Sequence, residues 1–337
     1  MHDPEPRPTS DADADADAAL ALGVRLTRQG DLDGARARLE AAARARPGDP
    51  DIKLNLAALG AAYLARGRYA EGWPLIEERI GLRPDLVPLV SPSFPEWRGE
   101  PLAGKSILVW VEQGLGDQIM FARFATPLAE LGARVTLGCR PALAALFRTI
   151  PGVAEVISVP VGVGVAVPRH DYWSRYFSLP YRLGTTLQTL PSAPYLGVPP
   201  DRSAPRRAER IGLVWATSPT GAATARKSLP EPLARELLAL GAISLHPEDT
   251  GAQDFADTAA IVDRLDLVIG VDTAAAHLAG AMGKPVRLLL PFDADWRWMR
   301  DRTDSPWYPS MRLFRQRAPG DWREVVDRVL AEIAPGG

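Results

Sequence analysis

Asp272, Thr273 and His277 stand close together in the stretch VDTAAAHLAG, residues 271–280. They supply a carboxylate, a hydroxyl and an imidazole where an apolar run, DLVIGVD, gives way to an alanine-rich segment. A helix N-terminus presents unpaired N–H groups and the positive end of the helix dipole, equivalent to about half a unit charge. A diphosphate is the natural guest of such a turn, and Ala274, Ala275 and Ala276 are small enough for backbone to approach it. His277 follows Thr273 by four residues, which places both on one helix face, where the imidazole can donate to a phosphate or ribose oxygen. The competing reading is packing, since a histidine on a small-residue helix can be a satisfied core residue.

Two further stretches offer complementary chemistry. In WVEQGLGDQIMFARF (110–124) an apolar run ends at Glu112, Gly114 and Gly116 shape a tight turn, and Asp117 opens a helix. Asp117 is placed either to remove a proton from a bound hydroxyl or to cap its own helix. The glycine spacing is not the G-x-G-x-x-G of dinucleotide sites, since Gln118 and Ile119 follow Asp117. In TARKSLPEPLAREL (224–237), Lys227 and Ser228 precede Pro230 and a helical run. Lys227 is either a cation that neutralises a leaving phosphate or an exposed, solvated lysine.

Strand–helix alternation would bring these turns to one place. Near-continuous apolar runs at 106–112, 134–139, 154–159, 210–216, 242–245, 266–272 and 286–290 predict parallel strands covered on both faces. Helical stretches at 117–131, 141–149, 229–240 and 273–282 separate several of them, which predicts α/β doubly wound architecture. In such sheets ligands bind in the crevice beyond the carboxyl ends of the strands, where all three candidate turns fall. The clusters divide at PPDRSAPRRAER into two facing Rossmann-like lobes, residues 106–205 and 206–318. An amphipathic helix within 319–337 closes the chain. Trp296, Trp298, Trp307 and Tyr308 are read as packing for that closure rather than as a sugar platform.

Ahead of the lobes lies a helical region, residues 18–90. Leu22, Gly23, Leu26, Gly30, Leu32, Ala35, Leu39, Ala42 and Pro47 are echoed by Leu59, Gly60, Tyr63, Gly67, Tyr69, Gly72, Ile76 and Pro84. This spacing resembles the tetratricopeptide repeat, a helix–turn–helix unit of about 34 residues. Small residues at Gly23, Ala35, Gly60 and Gly72 let paired helices approach, while Pro47 and Pro84 are expected to stop the second helix of each pair. Two such hairpins either dock a peptide or partner protein, or serve as a structural cap. Residues 1–17, which alternate Asp with Ala, are expected to be a disordered acidic tail, and the Pro- and Gly-containing 91–105 a linker.

Bulk properties narrow the partners. The net charge of −2 over 337 residues leaves no basic excess for nucleic acid, and no run of about 18 apolar residues predicts a membrane span. One cysteine, Cys139, fits a reducing cytoplasm, and the acidic N-terminal residues do not look like a signal peptide.

Taken in order, EQGLGDQIMFARF, ARKSLP and VDTAAAHLAGAMGKPV resemble the heptosyltransferase-like glycosyltransferases of family 9, in particular bacterial proteins that carry tetratricopeptide repeats ahead of that domain. The resemblance implies a GT-B fold, with the nucleotide sugar on the C-terminal lobe and the acceptor on the N-terminal lobe. It implies inverting transfer with no metal and no cofactor beyond the nucleotide-sugar substrate. It assigns Asp117 as the base, and Gly114, Gly116, Lys227, Ser228, Asp272, Thr273, Ala274 and His277 to the nucleotide sugar and its phosphates. The chain departs from the pattern at Thr217, at Ala222 and Ala223, at His246 within a shortened loop, and at Ala274. Those departures bear on donor identity and keep two other readings open: a non-catalytic adaptor on a GT-B scaffold, and a sugar-nucleotide epimerase.

Overall fold

The central apolar runs, such as those at 107–109 and 135–139, fold as strands whose residues are buried throughout, while the outer strand at 153–158 is partly exposed. The computed structural model describes residues 11–87, 92–202, 211–217 and 224–334. The division expected at PPDRSAPRRAER, and Ala222 and Ala223, fall largely or wholly outside the described residues. The chain separates into two compact units, one holding the helical hairpins with residues 184–187, the other the rest of the described chain.

The first unit contains α1 (Asp11–Gln29), α2 (Leu32–Ala45), α3 (Pro50–Leu64) and α4 (Tyr69–Ile76). The glycines that turn each pair, Gly30 and Gly67, both adopt positive φ, +89° and +75°, as a tight left-handed turn requires. A Cβ on Gly60 would lie 2.9 Å from the Gly72 carbonyl, and one on Gly72 2.7 Å from the Leu64 side chain. Glycine at both positions therefore sets how closely α3 and α4 approach. Leu32, Ala35, Leu39, Ile52, Leu59 and Tyr63 fill the shared core.

Two expectations for this region change. Residues 11–17 belong to α1 rather than to a tail, and Ala16 is buried. Alternating alanine is a strong helix former, and acids in the first turns meet the positive end of the dipole, so Asp–Ala alternation favours a helix. Pro84 is not the stop of the second hairpin either: α4 ends at Ile76 and tightens into a 3-10 turn, Glu77–Arg79, before Pro84 is reached.

The second unit carries two parallel sheets. The first, in the order β3-β2-β1-β4, is built from β1 (Ser106–Trp110), β2 (Arg134–Cys139), β3 (Val153–Ser158) and β4 (Tyr172–Arg175). Its helical segments are α5 (Leu115–Ala122), α6 (Ala125–Glu130), α7 (Ala144–Phe147) and α8 (Leu179–Arg182). The second sheet, in the order β6-β5-β7-β8-β9, is built from β5 (Ile211–Val214), β6 (Ile243–Ser244), β7 (Leu267–Val271), β8 (Val286–Leu290) and β9 (Met311–Arg315). Around it lie α9 (Thr224–Lys227), α10 (Glu231–Ala239), α11 (Pro247–Thr250), α12 (Phe255–Asp263), α13 (Ala274–Ala281) and α14 (Trp322–Ile333). All pairings within both sheets are parallel.

The stretch expected to be a linker does more than connect. Trp97 donates its N–H to the Trp173 carbonyl at 2.7 Å, and Trp173 donates to the Pro95 carbonyl, so this segment extends the β4 edge of the first sheet. Phe94 and Trp97 are buried there, which explains an aromatic pair between prolines. The closing helix α14 packs Trp322, Val325, Val326 and Val329 onto Leu213, Ile269 and Phe314 of the second sheet, so it is part of that lobe's core.

Candidate active site

Strand order decides where the site lies. In the first sheet the chain leaves β1 and builds β2 and β3 on one side, then returns to place β4 on the other. In the second it leaves β5 for β6 on one side and returns to β7 on the other. The carboxyl ends of β1/β4 and β5/β7 are therefore topological switch points, where open α/β sheets form crevices. Asp117 follows β1, Asp272 follows β7, and Lys227 lies beyond β5.

The turn after β1 bends sharply. Gln113 has φ +63°, a left-handed conformation that non-glycine residues seldom adopt, and the chain enters α5 at Gly114. Asp117 turns back to accept the Gly114 N–H at 3.1 Å, so it does serve its own helix. Its other carboxylate oxygen faces across the crevice and accepts from Arg297. A Cβ on Gly116 would lie 3.1 Å from the His277 ring and 3.5 Å from the Ala274 Cα. The glycine thus lets the α5 turn close onto the start of α13.

The turn after β7 is capped conventionally. Thr273 Oγ1 accepts the Ala276 N–H at 3.4 Å, while Thr273, Ala274 and Ala275 stay half-buried. Just before it, Asp272 accepts from the Lys227 ammonium at 2.8 Å and lies 3.5 Å from His277 Nε2. The other ring nitrogen of His277 is 2.9 Å from the Tyr308 hydroxyl. Burial pushes the Asp272 carboxyl up, but the His277 hydrogen bond and the Lys227 charge outweigh it and hold it well below the usual carboxylate range. Burial likewise pulls Lys227 down, and Asp272, helped by Asp295, more than restores it, so the ammonium stays charged well into alkaline pH.

Arg297 completes the constellation. It sits in a 3-10 turn, Trp296–Trp298, between β8 and β9, with its side chain 11% exposed. Asp295 Oδ1 accepts from Arg297 Nη1 at 2.6 Å and from its backbone N–H at 3.2 Å. Burial works against the guanidinium, and Asp295, Asp117 and Asp272 together hold it firmly protonated. The end of α5 is pinned to the same aromatic wall by Arg123, which donates to the carbonyls of Pro191 at 2.8 Å and of Trp307. That guanidinium stacks over Tyr308 at 4.6 Å.

The contacts above bring Gly114, Gly116, Asp117, Lys227, Asp272, Ala274 and His277 together, but several of the residues singled out in the sequence serve the fold. Ser228 Oγ accepts the Thr217 N–H at 3.2 Å and so ties the segment after β5 to the start of α10. His277, 4% exposed, directs both ring nitrogens at protein partners. Trp298, Trp307 and Tyr308 are buried, in keeping with a packing role, and Trp298 stacks on His277 at 5.3 Å. Sequence reasoning missed Arg297 and Asp295. The available signal was an arginine between two tryptophans, two residues after an acid, in a stretch read only for its aromatic rings.

Residues 16–59 match the tetratricopeptide repeat family. The match takes in most of α1, all of α2 and the larger part of α3. Over an alignment of 354 positions the chain is 31% identical to protein FlbA of Caulobacter vibrioides, covering 90% of this chain and 59% of FlbA. The chain thus spans about three-fifths of the length of that curated relative. Among solved structures it is similar to a family 9 glycosyl transferase from Veillonella parvula, with TM-score 0.49 and 15% identity over 72% of this chain and 93% of that one. It is also similar to the E. coli ADP-heptose lps heptosyltransferase II, with TM-score 0.45 and 13% identity over 67% of this chain and 98% of that one. Among the described residues no helix is long and apolar enough to cross a membrane.

Proposed function

We propose that the two-lobed unit is a glycosyltransferase that moves a sugar from a nucleotide-sugar donor to an acceptor hydroxyl, with inversion and without a metal. The reading further takes the chain to be a cytoplasmic, bacterial protein whose tetratricopeptide hairpins dock a protein acceptor. One observation carries the catalytic reading: the start of α13, with Lys227 and Asp272 beside it, meets the Asp117 turn, where Gly116 lies against Ala274 and His277 and Arg297 bonds Asp117. In the reaction the acceptor O–H gives its proton to the Asp117 carboxylate while its oxygen bonds to the anomeric carbon. The bond from that carbon to the diphosphate breaks, and its electron pair leaves on the phosphate oxygen. Lys227, Arg297 and the first-turn amides of α13 supply positive charge where that negative charge builds up. Asp272 and His277 take a holding role, Asp272 fixing the ammonium and His277 fixing Asp272. Ser228, Gly114, Gly116 and Ala274 keep the walls of the crevice close.

Transfer assayed with a sugar-nucleotide panel and cell extract as acceptor tests this reading. Asp117→Asn should lower turnover at least about 100-fold without weakening donor binding, since a general base contributes that much or more. Unchanged turnover removes Asp117 from the role of base. The adaptor reading draws support from the pairing of both cations with carboxylates in the crevice. Titration with nucleoside diphosphates separates the two, because an adaptor shows no saturable heat.

A further inference from the structure

Three carboxylates, Asp117, Asp272 and Asp295, surround two cations, Lys227 and Arg297, so both cations are already engaged. The two are engaged differently. Lys227 is bound to an acid of its own lobe, whereas Arg297 reaches across the crevice to the proposed base. One edge of the guanidinium is anchored, since Asp295 takes Nη1. The other edge is half used. Nη2 donates to Asp117, but Nε is buried with no hydrogen-bond partner among the described residues. A buried donor without an acceptor is costly, and the Nε/Nη2 fork matches two oxygens of a phosphate better than one carboxylate oxygen. Backbone strain frames the same pair. Among the described residues the non-glycine positions with positive φ are Gln113, at 63°, and Met299, at 51°. The first lies in the turn before Asp117 and the second two residues after Arg297. Strained backbone that survives folding tends to mark moving or preorganised sites.

Building on the transferase reading above, we infer that Arg297 is a positioning residue that gates the base: it holds Asp117 in the donor-free protein and passes to the donor's diphosphate when that arrives. Asp295 is the fixed pivot, and the orphaned Nε is the second prong of the phosphate fork. Release of Asp117 is thereby coupled to occupancy of the donor site. The carboxylate becomes free for an acceptor hydroxyl once a sugar nucleotide is present.

Isothermal titration of the full chain with ADP, GDP, UDP, CDP and dTDP tests the gate. If Arg297 must leave Asp117 to bind phosphate, then Asp117→Asn and Asp117→Ala should tighten nucleoside-diphosphate binding, by about three- to tenfold. Arg297→Gln should weaken it at least about tenfold, with Arg297→Lys between, because lysine keeps the charge and loses the fork. Asp117→Asn in the Arg297→Gln background should give no gain, since the gain requires the guanidinium. An Arg297 of purely structural importance would lower the melting temperature yet leave the Asp117 variants no tighter than wild type, and that result overturns the gate. Asp117→Asn carries the test even where Arg297→Gln fails to fold. Absence of saturable binding by wild type to every diphosphate overturns the donor-site reading itself. Binding by wild type with no gain in the Asp117 variants overturns the gate alone.

Discussion

The two strand-to-helix turns that meet in the crevice are built from the same parts and use them in opposite ways. After β7 the acid comes before the helix, is largely buried, and is closed off by Lys227 and His277, while Thr273 does the capping. After β1 the acid lies inside the first turn, does the capping itself, and keeps one oxygen facing across the crevice with its side chain 24% exposed. The difference separates holding from reacting. A buried carboxylate with two partners cannot move without stranding charges, so Asp272 fixes geometry. On the proposed transferase reading, a partly exposed carboxylate whose cationic partner has a second acid can change its contacts when an anion arrives, which suits Asp117 to proton transfer.

The largest expected effect breaks the holding side. Asp272→Asn leaves the ammonium of Lys227 without its carboxylate. A fully buried pair broken in this way costs about 3–5 kcal/mol, and a value near 2 kcal/mol is expected here because the lysine side chain is 29% exposed. The pH dependence follows from the depressed Asp272 pKa. A carboxyl held lower in the folded than in the unfolded chain adds stability that is complete above its unfolded value, about 3.9, and is lost as pH falls toward the folded value. Urea melts should therefore show the full wild-type advantage over Asp272→Asn near neutral pH and a shrinking one below about pH 4. An advantage that grew on acidification would remove Asp272 from its holding role.

A smaller effect tests whether the two turns need each other. Gly116→Val would push a branched side chain toward the His277 ring, where a Cβ alone would stand at 3.1 Å. Overpacking of this kind costs about 1–3 kcal/mol. Gly114→Ala is the internal control, since its Cβ would meet only the Asp117 carboxylate of its own helix, at 3.3 Å. Thermal melts should rank Gly116→Val clearly below Gly114→Ala, and equal melting temperatures would mean that the turns tolerate separation.

Much of this arrangement is legible in the sequence, for reasons that also explain the gaps. Continuous apolar runs such as DLVIGVD and RVTLGC announce strands buried on both faces, and β2 and β8 occupy the predicted spans. The strands that escape notice, Tyr172–Arg175 and Met311–Arg315, interleave arginine or serine with aromatic and apolar residues, so no continuous apolar run marks them. Asp117 and Asp272 stand out because each comes just after a strand and beside a helix start, and Lys227 because it precedes Pro230 and the start of α10. Arg297 is invisible because its meaning lies in a contact spanning 180 positions of chain, which no local spacing encodes. His277 is legible both as a phosphate donor and as a packed core residue, and local spacing leaves the choice open because Tyr308, whose hydroxyl meets its Nδ1, is 31 positions away.

The smallest effect sharpens the contrast in capping. Thr273 satisfies an amide of α13 through its own hydroxyl, so Thr273→Ala should cost about 1 kcal/mol and lower the melting temperature by about 2–4 °C, while Thr273→Ser should restore most of it. Asp117→Asn keeps its cap, because the asparagine carbonyl can still accept the Gly114 N–H that the carboxylate now holds at 3.1 Å, and the Arg297 guanidinium that loses its charge partner still keeps Asp295. The two substitutions should therefore invert between assays. Thr273→Ala should harm stability more than turnover, and Asp117→Asn should harm turnover far more than stability. A chain in which both fall together in both assays would have two caps and no base, and the functional division between the turns would not stand.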